Sequence, residues 1–314
     1  MKRFLFFAII FFATNLIATA QNTKTKSKKS KTPAARVAVQ APNSIKLEEA
    51  IASAEPIITT STNGNVNWTD QYVEAKGSSV IDSERFKNSA QANAMAARGA
   101  VVVAQRNLLE IINGVQVSGE TTVEDMITTS DVISTKVEGV IKGARIIGEP
   151  VIKNGMIEVT MRVPLYESGG LAPAVFEGIP QTLSPVIEVK PIENDKPVSV
   201  SQAANEAESK KLVFNLNGQK FDPSLFPIIQ DKDGKILLDL SKVYDPKSGK
   251  FPKYLQLAKD VMKGVGFDKG ADVVDVISTS GGKITLSDIG KNKINWQKVG
   301  KTAATIGKFL LLLI

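Results

Sequence analysis

The chain has 314 residues, enough for two domains, with 39 Lys and Arg against 32 Asp and Glu, and it contains neither His nor Cys. Disulfides, thiolate metal sites, a Cys nucleophile and an acylated Cys are thereby excluded, and the commonest general base and metal ligand are gone with His. The net charge of +7 sits in residues 1–36: taking away Lys2, Arg3, Lys24, Lys26, Lys28, Lys29, Lys31 and Arg36 leaves about −1 for residues 37–314.

Lys2 and Arg3 precede the apolar run Phe4 to Phe12, and Ala18-Thr19-Ala20 puts small residues where a signal peptidase needs them. The pattern predicts a signal peptide over 1–20, cleaved between Ala20 and Gln21, and a periplasmic mature chain. The apolar run is about half of the roughly 20 residues of a membrane span, so no span is expected after cleavage. Residues 21–66 read as a basic, largely disordered segment. Outside the cytoplasm its cations suit an anionic envelope surface better than nucleic acid, and a solvated spacer is the alternative.

A first domain is expected over 67–168. Tyr72 to Ile81 alternates as a strand does. Residues 85–113 predict the strongest helix, with Ala97, Val101, Ala104, Leu108 and Ile111 on one face and Arg98, Gln105 and Arg106 on others. Its Ala-rich stripe lets it lie close to whatever it packs on. Val115 to Val123 predicts a strand, Glu124 to Lys142 a helix, and Ala144 to Val151 and Met156 to Leu165 a strand pair turning at Lys153-Asn154-Gly155. The fold class is α/β of the α+β kind: β-α-β-α-β-β, an antiparallel sheet with two helices on one face. Residues 169–210, punctuated by proline, read as a linker. A smaller α/β domain is expected over 211–314. It starts with a strand at Leu212 to Leu216 and a hairpin of Pro227 to Gln230 with Lys235 to Leu240. A helix at Tyr254 to Val265, a strand at Ala271 to Ser278 and a weak helix at Ser287 to Ile306 follow. The apolar Phe309 to Ile314 closes it as a strand.

The chemical motifs are incomplete. Gly300-Lys301-Thr302 resembles the end of a phosphate-binding loop, but Asn295 stands where the first glycine belongs. Asp231, Asp233 and Gly234 lack the later ligands of a calcium loop and fit a hairpin turn better. Glu120, Glu124, Asp125 and Asp131 are the densest carboxylates, at positions that helix dipoles explain. Aromatic residues are 6% and do not interleave with basic ones, so no nucleic-acid platform is expected. No catalytic residue, cofactor site or metal site is assigned.

Ala94 to Val117, Ser118 to Val123, Val137 to Arg145 and Glu158 to Leu165 occur in order. Together they resemble blocks of the LPP-twenty lipoprotein family, which is similar in turn to the flagellar outer-membrane proteins FlgP and FlgT. The resemblance covers about residues 68–166, with a weaker likeness in the C-terminal part. It implies an envelope protein that builds or supports assemblies at the outer membrane, and in the flagellar relatives rings around the motor. Family members are often lipid-anchored through Cys; here Ala20-Gln21 stands in that place.

The expected role is therefore non-catalytic: a structural or assembly protein of the envelope, partnering envelope proteins or itself. The basic helix face of Arg98, Gln105 and Arg106 complements the acidic Glu120, Glu124 and Asp125, as head-to-tail contact between copies would require. The alternative is a periplasmic binding module for peptidoglycan fragments, glycans or another envelope ligand, in a pocket lined by Trp68, Tyr72 and Tyr166.

Overall fold

The computed structural model describes residues 54–179, 211–258, 271–288, 294, 296 and 310–313. They contain helices and two principal sheets, a mixed α+β architecture. The expected signal peptide, the basic residues Lys24 to Arg36, most of the expected proline-rich linker and the Gly300-Lys301-Thr302 motif lie outside the described residues.

The first sheet is antiparallel. Its strands are β1 (Ile58–Ser61), β2 (Gly64–Asn67), β3 (Tyr72–Val80), β6 (Arg145–Ile146), β7 (Val151–Lys153) and β8 (Met156–Pro164). They run in the order β1-β2-β3-β8-β6, with β7 also on β8. The hairpin β1–β2 widens the sheet beyond the four strands expected and corrects the boundary at residue 67: residues 58–66, expected in the disordered segment, are part of the first sheet, with Ile57 and Val66 buried. The long pair β3–β8 keeps register from Tyr72↔Pro164 to Val80↔Met156. On β8 the period-two alternation decides the faces: Ile157, Val159, Met161 and Val163 are buried, and Glu158, Thr160 and Arg162 face outward with Met156.

Helix α1 (Ser89–Asn113) covers the buried face. It starts later than residue 85 because Asn88 caps it, accepting from the amides of Ala90 at 2.9 Å and Gln91 at 3.1 Å. The buried stripe is Ala92, Ala96, Ala100, Ala104, Leu108, Ile111 and Ile112, which includes the expected Ala104, Leu108 and Ile111, while the expected Ala97 and Val101 are half-buried at its flank. The helix touches the sheet where both surfaces are smallest. A Cβ on Gly77 of β3 would lie 2.2 Å from the Ala100 carbonyl oxygen and 2.2 Å from the Ala104 nitrogen.

Three further expectations for this part are corrected. Residues 115–123 form not a sheet strand but a separate small hairpin, β4 (Gln116–Ser118) with β5 (Thr121–Thr122). Residues 124–142 are two helices, α2 (Val123–Thr129) and α3 (Asp131–Lys142), parted by extended Ser130. The run Thr128-Thr129-Ser130 explains the break: the threonine hydroxyls donate back to the carbonyls of Glu124 and Asp125, and Ser130 turns outward to cap α3. The linker begins later than residue 169, since α4 (Leu171–Phe176) buries Leu171, Ala172, Ala174 and Val175.

The second sheet holds β9 (Lys211–Asn215), β10 (Ile228–Asp231), β11 (Ile236–Asp239), β12 (Lys253–Gln256), β13 (Ala271–Ser280), β14 (Lys283–Leu286) and β15 (Leu310–Leu313). Their order is β11-β10-β14-β13-β9-β15-β12. The expected C-terminal strand is β15, pairing in parallel with both β9 and β12. The helix expected from Tyr254 is corrected: Tyr254 and Leu255 sit in strand β12, both buried, and residues 259–270 lie outside the described residues.

Aromatic side chains join the two sheets. Tyr166 stacks on Phe251 at 4.3 Å between ring centres, and its hydroxyl donates to the Leu225 carbonyl at 2.9 Å. Tyr244 donates to the Tyr166 carbonyl and Tyr254 to that of Ser224. The amides of Leu225 and Phe226 donate to Gln116 and Val117 of the β4 region. Residues 43–314 accordingly cluster as one compact unit.

Candidate functional site

The residues expected to line an aromatic pocket do not come together at a surface. Trp68 is 2% exposed and donates its indole N–H to Thr59, and Tyr166 is 1% exposed within the aromatic cluster. Tyr72 alone of the three meets solvent, half-buried on the outer face of β3. Burial raises the Tyr166, Tyr254 and Tyr244 hydroxyls above their ordinary value, Tyr166 and Tyr254 strongly, so these phenols serve as donors to backbone carbonyls.

The two charged faces proposed for contact between copies fare differently. Arg98 and Arg106 are exposed on α1 with no ion pair among the described residues, and Gln105 is half-buried. On the acidic side Glu124 is exposed, but Glu120 pairs with Lys283 at 3.2 Å. Asp125 is engaged in a capping box: its carboxylate accepts from the Thr122 amide at 2.8 Å and the Thr122 hydroxyl at 2.7 Å, which hold it below the ordinary carboxylate value. The outer face of the sheet is also internally paired, Lys76 with Glu158 at 3.1 Å and Arg162 with Glu74 at 2.5 Å.

Asp231 resolves as the turn reading expects. Its carboxylate accepts from the amides of Asp233 at 3.1 Å and Lys235 at 2.8 Å, and Gly234 takes φ +79°. Among the described residues no group of three or more acidic side chains is arranged to hold a metal ion.

Two features remain at the surface. The first is apolar. Val80, Ile146, Ile147, Val151, Ile152 and Met156 are exposed, Val80 at 65% and Ile152 at 60%. Strand register spreads them over one end and edge of the first sheet, on both of its faces: Val80 lies opposite Met156 and Val151 opposite Glu158 on the outer face, and Ile152 opposite Ile157 and Ile146 opposite Met161 on the side of the buried set. The corner includes the short strands β6 and β7, which leave backbone groups of the sheet edge unpaired. Sequence reading passed over it because Ile146-Ile147 and Val151-Ile152 look like ordinary core strands. The signal was there: β-branched residues at consecutive positions, around Gly148-Glu149-Pro150, cannot all face one core.

The second is a cleft of about 670 Å³ between the outer face of β3, β8 and β6, the exposed side of α3, and the loop of residues 167–170. Tyr72, Arg145 and Arg162 form its floor, and Lys136, Asp70 and Glu167 stand on its sides. The loop is held close by a Gly170 amide bond to the Glu167 carbonyl at 2.8 Å, and a Cβ on Gly170 would lie 2.7 Å from the Pro164 oxygen. The cleft draws on residues far apart in the chain, which is why no local motif announced it.

No family model matches the chain, and no match is found among the curated proteins. No helix of the described residues is long and apolar enough to cross a membrane.

Proposed function

We propose that the protein is a non-catalytic assembly or structural component of the bacterial cell envelope, exported by its N-terminal signal and engaging its partner through the apolar corner of the first sheet. The observation that carries this reading is the corner itself. Large apolar side chains left exposed on both faces at one end of a sheet, Val151 and Ile152 on its short edge strand β7, are costly in water and favourable against another protein that covers the edge. The signal-like pattern of residues 1–20 supports that compartment, and the resemblance of residues 68–166 to the LPP-twenty lipoprotein family favours the same kind of role. The aromatic-pocket alternative loses support, because Trp68 and Tyr166 are spent in the core.

The contact we favour is apolar and edge-on rather than electrostatic, because Glu120 and Asp125 are already partnered within the chain. The test uses the chain as bait in solubilised envelope, beside a Val151→Lys, Ile152→Lys double variant. The wild type should retain specific partners or further copies of itself, and the double variant should lose them at an unchanged thermal midpoint. Equal recovery by both baits would refute the corner as the contact.

A further inference from the structure

The cleft beside Tyr72 carries an unbalanced charge arrangement. Arg145 on β6 is the direct cross-strand partner of Arg162 on β8, so the two guanidinium groups share one face of the sheet. Like charges placed opposite one another on neighbouring strands are destabilising unless something answers them. The answer within the chain is partial. Glu74 Oε2 accepts from Arg162 Nε at 3.0 Å and from Nη2 at 2.5 Å, and the Tyr72 ring lies 3.6 Å beneath the Arg162 guanidinium carbon. Those contacts fix the guanidinium plane and leave Nη1 without an acceptor among the described residues. Arg145 is exposed and has no ion pair among them. Lys136, further along the wall, is committed to Glu177 at 2.5 Å.

The open Nη1 of Arg162 and the exposed, unpaired guanidinium of Arg145 lining one cleft can together receive one planar anion. The rest of the lining narrows the ligand. Asp70 and Glu167 flank the same cleft, Asp70 with one carboxylate oxygen bonded to Asn67 and Glu167 exposed, so a multiply charged anion is disfavoured and a cationic group is welcome. Between the charged groups lie the Tyr72 ring, Pro164, Pro173 and Val140, an apolar floor for an extended body. The volume suits a ligand of a few residues.

We propose that this cleft binds a short peptide in its zwitterionic form. The terminal carboxylate is held by Arg145 and by Nη1 of Arg162, the ammonium group is placed by Asp70 and Glu167, and the backbone lies between them along Pro164 and Pro173. Arg162 is the pre-set prong, held by Glu74 and the ring, and exposed Arg145 is the second.

The test is calorimetric titration of the purified chain with trialanine, trialanine amide, N-acetyl-trialanine and inorganic phosphate. Trialanine should bind saturably. Loss of either terminal charge should weaken binding about tenfold or more, the usual scale for a charge-assisted hydrogen bond. Arg145→Gln, at an exposed position, should weaken trialanine binding by a similar factor at an unchanged thermal midpoint. Glu74→Gln should weaken it less, since it frees the Arg162 plane without removing a donor. The Val151→Lys, Ile152→Lys variant should bind trialanine as the wild type does, which separates this site from the assembly contact. Absence of saturable binding, equal binding of trialanine and its amide, or phosphate binding more tightly than trialanine would each overturn the proposal.

Discussion

Gly77 shows how one residue decides a packing distance. Its Cα sits against the α1 backbone between Ala100 and Ala104, and no side-chain rotation can relieve a Cβ placed 2.2 Å from main-chain atoms. Gly77→Ala should cost about 3 kcal/mol, the upper end of overpacking effects, read from urea denaturation. Gly139, exposed in α3 with nothing within 4 Å of an added Cβ, makes the contrast: Gly139→Ala should stabilise by about 0.5–1 kcal/mol through helix propensity. The tyrosines set an alkaline limit. Burial raises the folded-state pKa of Tyr166 and Tyr254 above the ordinary 10.0, so their contribution is complete below pH 10 and is lost as pH climbs beyond it. Each should remove about 1.4 kcal/mol of stability per pH unit above that point. Phenolate absorbance should then appear together with loss of tertiary circular dichroism. Phenolate growth well before that loss would contradict the burial. Gly77 and the Ala stripe could be read from composition, but the Tyr166 role could not, because a lone aromatic in sequence looks the same whether it lines a pocket or fills a core.

At the scale of elements, local chemistry was legible wherever it was self-contained. The turn at Asn154-Gly155 has φ of 53° and 72°, the left-handed pair a two-residue hairpin needs, and it falls where the residues predict, but the strand expected over 144–151 is broken at Gly148-Glu149-Pro150 into β6 and β7. The Asp231 hairpin and the outward set on β8 follow from the same kind of rule. What failed was length and partnership. A 3.6-residue pattern continued through Thr128-Thr129-Ser130 although hydroxyl side chains break the helix there, and Tyr254-Leu255, periodic enough for a helix, is claimed by β15. The capping box gives a test of how α2 begins at Thr122. Because Thr122 lowers the folded-state pKa of Asp125, that contribution is present above the ordinary carboxylate range and is lost as pH falls through the lowered value. Asp125→Asn should therefore lower the thermal midpoint at neutral pH and leave it nearly unchanged at the acid end. An equal shift at both would deny the box its role.

For the whole molecule, the aromatic cluster binds two sheets that the sequence separates with a proline-rich stretch, while the apolar corner lies away from that junction and stays open. The near-neutral net charge of residues 37–314 is legible in the sequence; the cleft arises from pairing between distant strands and had no local signature, whereas the apolar edge showed only in the consecutive β-branched residues around Gly148-Glu149-Pro150. The account rests most heavily on that corner being covered in the cell. Placing a photo-crosslinking amino acid at Ile152 in the producing cells, with a second chain carrying it at exposed Thr128, tests this directly. Illumination should give discrete higher-mass adducts from position 152, to another copy or to an envelope protein, and none from position 128. No adduct from 152, or the same diffuse pattern from both, would contradict the account.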